Sequence, residues 1–316
     1  MKFKKMLLVN VARSIFSDEN WKELNSLAEQ NIFLAKDDPR FKEELKDVEC
    51  LLTGYAIPVT NEHIDAAPNL KYIGTLATAY HAIDSEHARQ KGIPVTNIAG
   101  YCVESVAEFS IAALLNELRQ LDEGKMRVKN NSYSYEGLTV GEIKGKVFGV
   151  CGLGAIGMRL AEIAQGFGAN VWYWNRTRKP QAESKGMVYK EKDELLSSAD
   201  FISLNFAHTP ETNLFLNEDA FLKIKSGAIV INTVPIETTD LDALENRLNK
   251  NDMIFITDHA EQMNKENPER FIQYKNCVQY PSIAFISKEA RANMQEIFIN
   301  NLKNFLSGSP TNVVNP

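Results

Sequence analysis

Along the chain, short apolar runs closed by polar turns alternate with longer stretches in which apolar residues recur at helical spacing. Residues 7–11, 32–35, 50–54, 70–76 and 93–96 read as strands, with a helix after the Ser17 cap through residue 27 and another over 84–90. Residues 104–121 read as one long helix carrying Val106, Phe109, Ala112, Ala113 and Leu118, followed by a polar, turn-rich stretch over 128–141. Strands then return at 146–151, 171–174, 201–204, 228–231 and 253–256, and a second long helix runs over 289–306 to Gly308. Strands alternating with helices predict parallel α/β sheets. Two long helices bracketing one α/β block imply that the last returns to the first domain. The predicted domains are therefore 1–100 with 287–316, a discontinuous unit, and 101–286. The helix 104–121 is apolar on more than one face: Val106, Ala107, Phe109, Ile111, Leu114 and Leu115 exceed what one core can take.

The most informative stretch is Gly152-Leu-Gly154-Ala155-Ile156-Gly157, because an apolar strand enters it and a helical pattern leaves it. Strand, glycine turn and helix start are what a dinucleotide site requires. Gly152 permits the turn, Gly154 lets the backbone approach a pyrophosphate, and Gly157 lets helix and strand pack closely. The helix start offers free N–H groups and a partial positive charge to phosphate.

Composition narrows the setting without changing the fold. A length of 316 residues favours two domains, and 44% hydrophobic with 24% charged content is ordinary for a packed protein. A net charge of −6 argues against a nucleic-acid or acidic-membrane surface. Cys50, Cys102, Cys151 and Cys277 lack paired spacing and read as reduced thiols, which places the protein in the cytoplasm. The apolar stretch near the N-terminus is too short for a signal peptide and lacks a cleavage signal, so it reads as a first strand. Neither a metal-ligand cluster nor a Ser–His–Asp set can be read from spacing.

The cofactor reading turns on residues after the second strand of the glycine unit. An acidic residue there binds the ribose 2′-OH of NAD. This chain instead runs Asn175-Arg176-Thr177-Arg178-Lys179, cations able to hold a 2′-phosphate, so NADP(H) is expected over NAD(H).

Nearly the whole chain resembles the D-2-hydroxyacid dehydrogenase family. Gly92 to Asn97 with Tyr101 and the run Glu104 to Glu108 resembles its hinge, and Gly152 to Gly157 its cofactor loop. Thr209-Pro-Glu-Thr212, Asn232-Thr233 with Asp240, Asp258, and Pro281 with Ile283-Ala284 match further family segments. The resemblance implies flavodoxin-like and Rossmann-like doubly wound domains with a cleft between them, and a homodimer. It adds Phe206, Ala207, Thr212, Thr233 and Val234 to the cofactor contacts and assigns the nicotinamide carboxamide to Asp258.

The same matches expose departures. The family's carboxylate-binding arginine falls at Pro235, its acid–base histidine at Ser282, and the glutamate tuning that histidine at Met263, with Glu261 and Glu266 near enough to replace it. Proline has no cation, and serine is a poor proton donor beside imidazole. Losing acid–base help costs roughly 10² to 10⁴-fold in rate. His81 in the loop 77–84, Tyr101 at the hinge and His259 beside Asp258 are the substitute candidates, His259 being disfavoured because successive strand residues face opposite sides. The expected function is an NAD(P)-binding oxidoreductase acting on a small molecule other than an ordinary 2-keto or 2-hydroxy acid. The alternative is a non-catalytic dinucleotide sensor or partner subunit that engages another protein.

Overall fold

A computed structural model describes residues 1–265 and 267–316. Glu266, one of the two glutamates offered as a replacement, lies outside the described residues. The chain divides into two compact units, Met1–Cys102 with Ser287–Pro316, and Val103–Ile286.

The first unit is a five-stranded parallel sheet of β1 (Phe3–Val9), β2 (Ala28–Leu34), β3 (Cys50–Thr53), β4 (Tyr72–Thr75) and β5 (Val95–Thr96), in the order β2-β1-β3-β4-β5. The apolar runs are continuous because both faces are covered. Leu7, Leu51, Ile73 and Val95 pack to one side, while Met6, Leu8, Leu52 and Tyr72 pack to the other. The helix Lys288–Leu306 closes that second side with Phe298, Ile299 and Leu302.

The second unit holds β6 (Val147–Cys151), β7 (Asn170–Trp174), β8 (Val188–Tyr189), β9 (Phe201–Leu204), β10 (Ile229–Asn232), β11 (Ile254–Thr257) and β12 (Cys277–Gln279). These form one sheet in the order β12-β11-β10-β9-β6-β7-β8, with every recorded pairing parallel. The chain enters at β6, winds outward to β8, and crosses back to β9 on the other side of β6. That reversal leaves a crevice at the carboxyl ends of β6 and β9, where open parallel sheets bind ligands.

Several expectations are corrected. The long helix runs Val103–Leu118, not 104–121. Gln120 takes a left-handed backbone (φ 50°), and a separate helix Leu121–Lys129 follows, claiming residues expected in the polar loop. Within that helix Arg127 pairs with Glu123 one turn earlier, at 2.8 Å. The apolar excess of the long helix is largely absorbed inside its own unit. Ala107, Ile111 and Leu114 are buried in its core, and Phe109 meets Tyr280 edge to face at 5.4 Å. The uncovered apolar side chains come later in sequence, at Leu121, Met126, Val128, Tyr133, Tyr135 and Val140. Among the described residues no helix is long and apolar enough to cross a membrane.

Candidate active site

The glycine turn is built by steric necessity. Gly152 sits at φ +92°, and a Cβ there would lie 2.8 Å from the Asn205 carbonyl oxygen. A Cβ on Gly157 would lie 2.1 Å from the Gly152 carbonyl oxygen, so helix and strand approach as closely as only glycine allows. Gly154 differs: nothing stands within 4 Å of its missing Cβ, and the space it leaves opens outward. It caps the helix Ala155–Gly166 without a side chain, so the first-turn N–H groups lack a side-chain acceptor.

A cavity of about 200 Å³ adjoins this turn, lined among others by Gly154, Trp174, Arg176, Asn205, Phe206 and Thr212. Trp174 and Phe206 supply its aromatic lining and pack with Phe215 behind them, ring centroids lying 4.7–6.3 Å apart. The Asn175 carboxamide oxygen accepts from the Leu153 N–H at 3.1 Å, and its Nδ2 donates to the Thr177 carbonyl at 2.9 Å. The turn after β7 is thereby tied to the glycine loop. Thr212 Oγ1 accepts from the Thr209 N–H and donates to the Ala207 carbonyl, each at 2.8 Å, which fixes the loop opposite. Thr233 follows β10, and Val234 N–H donates to the Asn232 side chain at 3.0 Å. Among the expected cations, Arg176 is exposed and makes no ion pair among the described residues. Arg178 is engaged: it donates to both carboxylate oxygens of Glu183, at 2.9 and 2.8 Å, and lies over the Tyr189 ring.

Two buried oxygens fit a bound dinucleotide. Asn205 Oδ1 and Asp258 Oδ1 have no hydrogen-bond partner among the described residues. A buried acceptor left unpaired is costly, and a ligand N–H relieves it. Asn205 was missed in the sequence, where an asparagine after a strand carries no special signal. Asp258 lies just beyond β11 and is 3% exposed, with Oδ2 accepting the Ala284 N–H at 3.1 Å. Burial pushes its carboxyl up, opposed by the adjacent His259 and the Ala284 N–H.

β11 ends at Thr257, so His259 does not obey strand alternation; its N–H is turned back onto Thr257 Oγ1 at 3.1 Å. The expectation that His259 faces away from Asp258 is therefore overturned. His259 Nε2 stands 3.6 Å from Asp258 Oδ1. On the other side of the ring, Nδ1 stands 3.2 Å from Ser282 Oγ, which also hydrogen-bonds Glu261. A Ser–His–carboxylate cluster that spacing did not reveal is thus assembled where β11 and β12 end.

A family model for the D-isomer specific 2-hydroxyacid dehydrogenase NAD-binding domain matches residues 111–284. The chain belongs to the D-isomer specific 2-hydroxyacid dehydrogenase family. A hydroxypyruvate reductase of Blautia hydrogenotrophica is 32% identical over 312 residues, covering 94% of this chain and 95% of the relative. A glyoxylate reductase of Thermococcus litoralis is 34% identical over 285 residues, covering 86% and 85%. Among solved structures, the Aquifex aeolicus D-lactate dehydrogenase complexed with NAD and lactic acid superposes with a TM-score of 0.85 at 27% identity, covering 98% of this chain and 99% of that one. An acyclic imino acid reductase, Bsp5, in complex with NADPH and D-Arg, superposes at 0.82 and 26%, with the same coverage.

In this dehydrogenase-family chain, the positions that the sequence resemblance matched to the family's arginine, glutamate and histidine have distinct surroundings. Pro235 opens a 3₁₀ turn, Ile236–Thr238, after β10. Met263 is buried with Phe255 and Phe271 in the core, so a carboxylate at 263 would be buried without solvent. Glu261, two residues earlier, is the carboxylate that reaches Ser282. His81 is exposed in the five-stranded unit, and Tyr101 is partly buried there against the sheet core, its hydroxyl held above the usual range by burial.

Proposed function

We propose that this chain is a nicotinamide-dinucleotide-dependent oxidoreductase that favours NADP(H) and acts on a small molecule other than an ordinary 2-keto or 2-hydroxy acid. The observation that carries the reading is a contrast within one sheet. The dinucleotide features are intact: the steric demands at Gly152 and Gly157, the opening at Gly154, and the unpaired oxygens of Asn205 and Asp258. The position that the resemblance matches to the family's carboxylate clamp is Pro235. Bound there, the cofactor would supply a hydride to an electrophilic carbon. Gly152, Gly154 and the helix start at Ala155 would hold its pyrophosphate, Asn175, Arg176 and Thr177 its ribose end, and Asp258 its carboxamide.

Two comparisons support this. The reductase names of the curated relatives support reduction of a C=O bond, and the imino acid reductase supports both NADPH and a C=N substrate on the same scaffold. A second reading, reduction of glyoxylate or hydroxypyruvate, is favoured by those relatives' names; Pro235 opposes it, because a developing charge beside a carboxylate needs the missing cation. The test is NADPH and NADH oxidation with 2-keto acids alone, with 2-keto acids plus amines, and with uncharged ketones. Turnover confined to substrates without a 2-carboxylate, or to imines, is the expected result. Turnover of glyoxylate at about 1 s⁻¹ or faster would replace this reading with the second. Binding of dinucleotide without turnover of any substrate would favour the sensor.

A further inference from the structure

We infer that His259 is the residue that holds and delivers the proton at this site, presenting it on Nε2, with Ser282 and Glu261 as positioning residues that fix its ring. The inference rests on the oxidoreductase reading and deepens it.

The donor–acceptor logic admits one arrangement. Ser282 has a single hydroxyl hydrogen, and its Oγ contacts both Glu261 and His259 Nδ1. Glu261 as a carboxylate only accepts. The serine hydrogen therefore goes to Glu261, and Oγ accepts from His259, so Nδ1 carries a proton. Burial pushes the Glu261 carboxyl up, but the Ser282 hydroxyl and the neighbouring His259 more than offset it, and Glu261 lies below its usual range. It is ionised at neutral pH, as the arrangement requires. Its Oε1 also lies 3.8 Å from Nδ1.

This leaves Nε2 as the working nitrogen. It faces Asp258 Oδ1 at 3.6 Å, beyond hydrogen-bond length, so no group among the described residues hydrogen-bonds it. The His259 side chain is 17% exposed, enough for a ligand atom to reach one edge of the ring. The same geometry excludes Ser282 as a nucleophile. A histidine that donates to the hydroxyl cannot take its proton, unlike the base of a hydrolytic triad.

The step balances with reduced nicotinamide dinucleotide as co-reactant. The hydride brings two electrons to the C=O or C=N carbon, and the π pair moves onto oxygen or nitrogen. That atom takes the proton from imidazolium Nε2, leaving neutral His259 protonated on Nδ1. This is the tautomer the Ser282–Glu261 chain stabilises, so the ring need not turn between steps.

The tautomer is read without turnover, from long-range ¹H–¹⁵N spectra of protein labelled in its histidine rings, at about pH 8 where imidazole is ordinarily neutral. Loss of one spin system in His259→Gln assigns the signal. The Nδ1–H form is expected, with Nε2 shifting when NADP⁺ is added. Ser282→Ala should release the tautomer preference and Ser282→Thr should keep it. An Nε2–H form in the natural protein, or no change in Ser282→Ala, overturns the inference. In the activity arm, the substrate panel above is run with NADPH. His259→Gln should lower kcat about 10² to 10⁴-fold with cofactor Kd unchanged. An unchanged kcat overturns the role of His259 and leaves the oxidoreductase reading standing. No NADPH consumption by the natural protein with any substrate overturns that reading and the proton delivery with it, whatever the tautomer.

Discussion

Gly154→Ala and Gly157→Ala should separate binding from folding, although the two glycines lie three residues apart. At Gly157 the added Cβ falls 2.1 Å from the Gly152 carbonyl oxygen, 3.1 Å from its carbon and 3.2 Å from Val150 Cγ1. The nearest obstacle is backbone on the turn itself, which cannot rotate away. Overpacking of this kind costs about 1–3 kcal/mol or more. Alanine's better helix propensity returns at most about 1 kcal/mol, so the variant is destabilised and its turn displaced. At Gly154 the backbone is extended, at φ −78° and ψ −163°, and no atom lies within 4 Å of the new methyl. Alanine is a poorer N-cap than glycine, a cost of about 1 kcal/mol, but nothing displaces the turn. The methyl would instead occupy the space through which a pyrophosphate approaches, and a loss of about 1.4 kcal/mol or more corresponds to at least tenfold in Kd. Denaturant unfolding and calorimetric titration with NADPH, run on both variants, read the two quantities. Full affinity in Gly154→Ala would refute the placement of the pyrophosphate. Unchanged stability in Gly157→Ala would refute the helix–strand argument.

Arg176→Ala should weaken NADPH about tenfold or more and leave NADH unchanged, since one charge-assisted hydrogen bond is worth about 1.5–3 kcal/mol; Arg178→Ala, which breaks the Glu183 pair, should affect NADPH less, and equal effects would mean that Arg178 leaves Glu183 on binding. The double variant Pro235→Arg, Ser282→His should gain glyoxylate reduction with the native Glu261 as partner, whereas adding Met263→Glu should only destabilise, read by steady-state rates and Tm. Sedimentation should report a dimer of the 35.5 kDa chain, joined through the exposed apolar side chains between Leu121 and Val140; a monomer at micromolar concentration would refute it. Burial raises the Asp258 pKa, so the folded chain retains a proton that the unfolded chain releases above about pH 4. Stability is then lost as pH rises through the folded-state pKa. Asp258→Asn should match the natural protein below that window and melt higher above it. The reverse order at neutral pH would show that His259 more than compensates the buried charge.

The sheets were legible because their central strands are covered on both faces and so read as continuous apolar runs. The strands that were missed, β8 and β12, lie at the sheet edges and span only Val188–Tyr189 and Cys277–Gln279, too short for any period to register. The end of the long helix was misplaced because Leu121 and Met126 continue an apolar pattern across a break made by backbone conformation at Gln120. The glycine turn was legible because its constraint is local: Gly157 answers to Gly152 and Val150 just before it, and Gly152 to the loop after β9. The proton-handling cluster was not, since Ser282 lies 23 residues from His259 and 21 from Glu261, a separation that only the adjacent ends of β11 and β12 close. Arg178 shows the same limit on a smaller scale. Its partner Glu183 is five residues on, across the turn into the helix Pro180–Glu183, a spacing that signals nothing in an unbroken helix.

Binding and chemistry are separable in this fold because they draw on different kinds of atoms. The dinucleotide features are mostly backbone: open space at Gly154, a close approach at Gly157, unsatisfied N–H groups at a helix start. None depends on which side chain stands at 235 or 282. Pro235 shows how gently the chemical positions can change. Its φ of −50° suits the start of the 3₁₀ turn, and its carbonyl accepts the Thr238 N–H at 3.1 Å and the Thr238 hydroxyl at 2.8 Å. Any residue can adopt that backbone, so exchange between arginine and proline leaves the turn intact. Proline adds about 0.4–1 kcal/mol by restricting the unfolded chain. On the proposed reading, a change from arginine to proline at 235 is therefore stabilising in itself. Once a substrate no longer needs the clamp, folding favours the proline, and the cofactor turn does not register the difference.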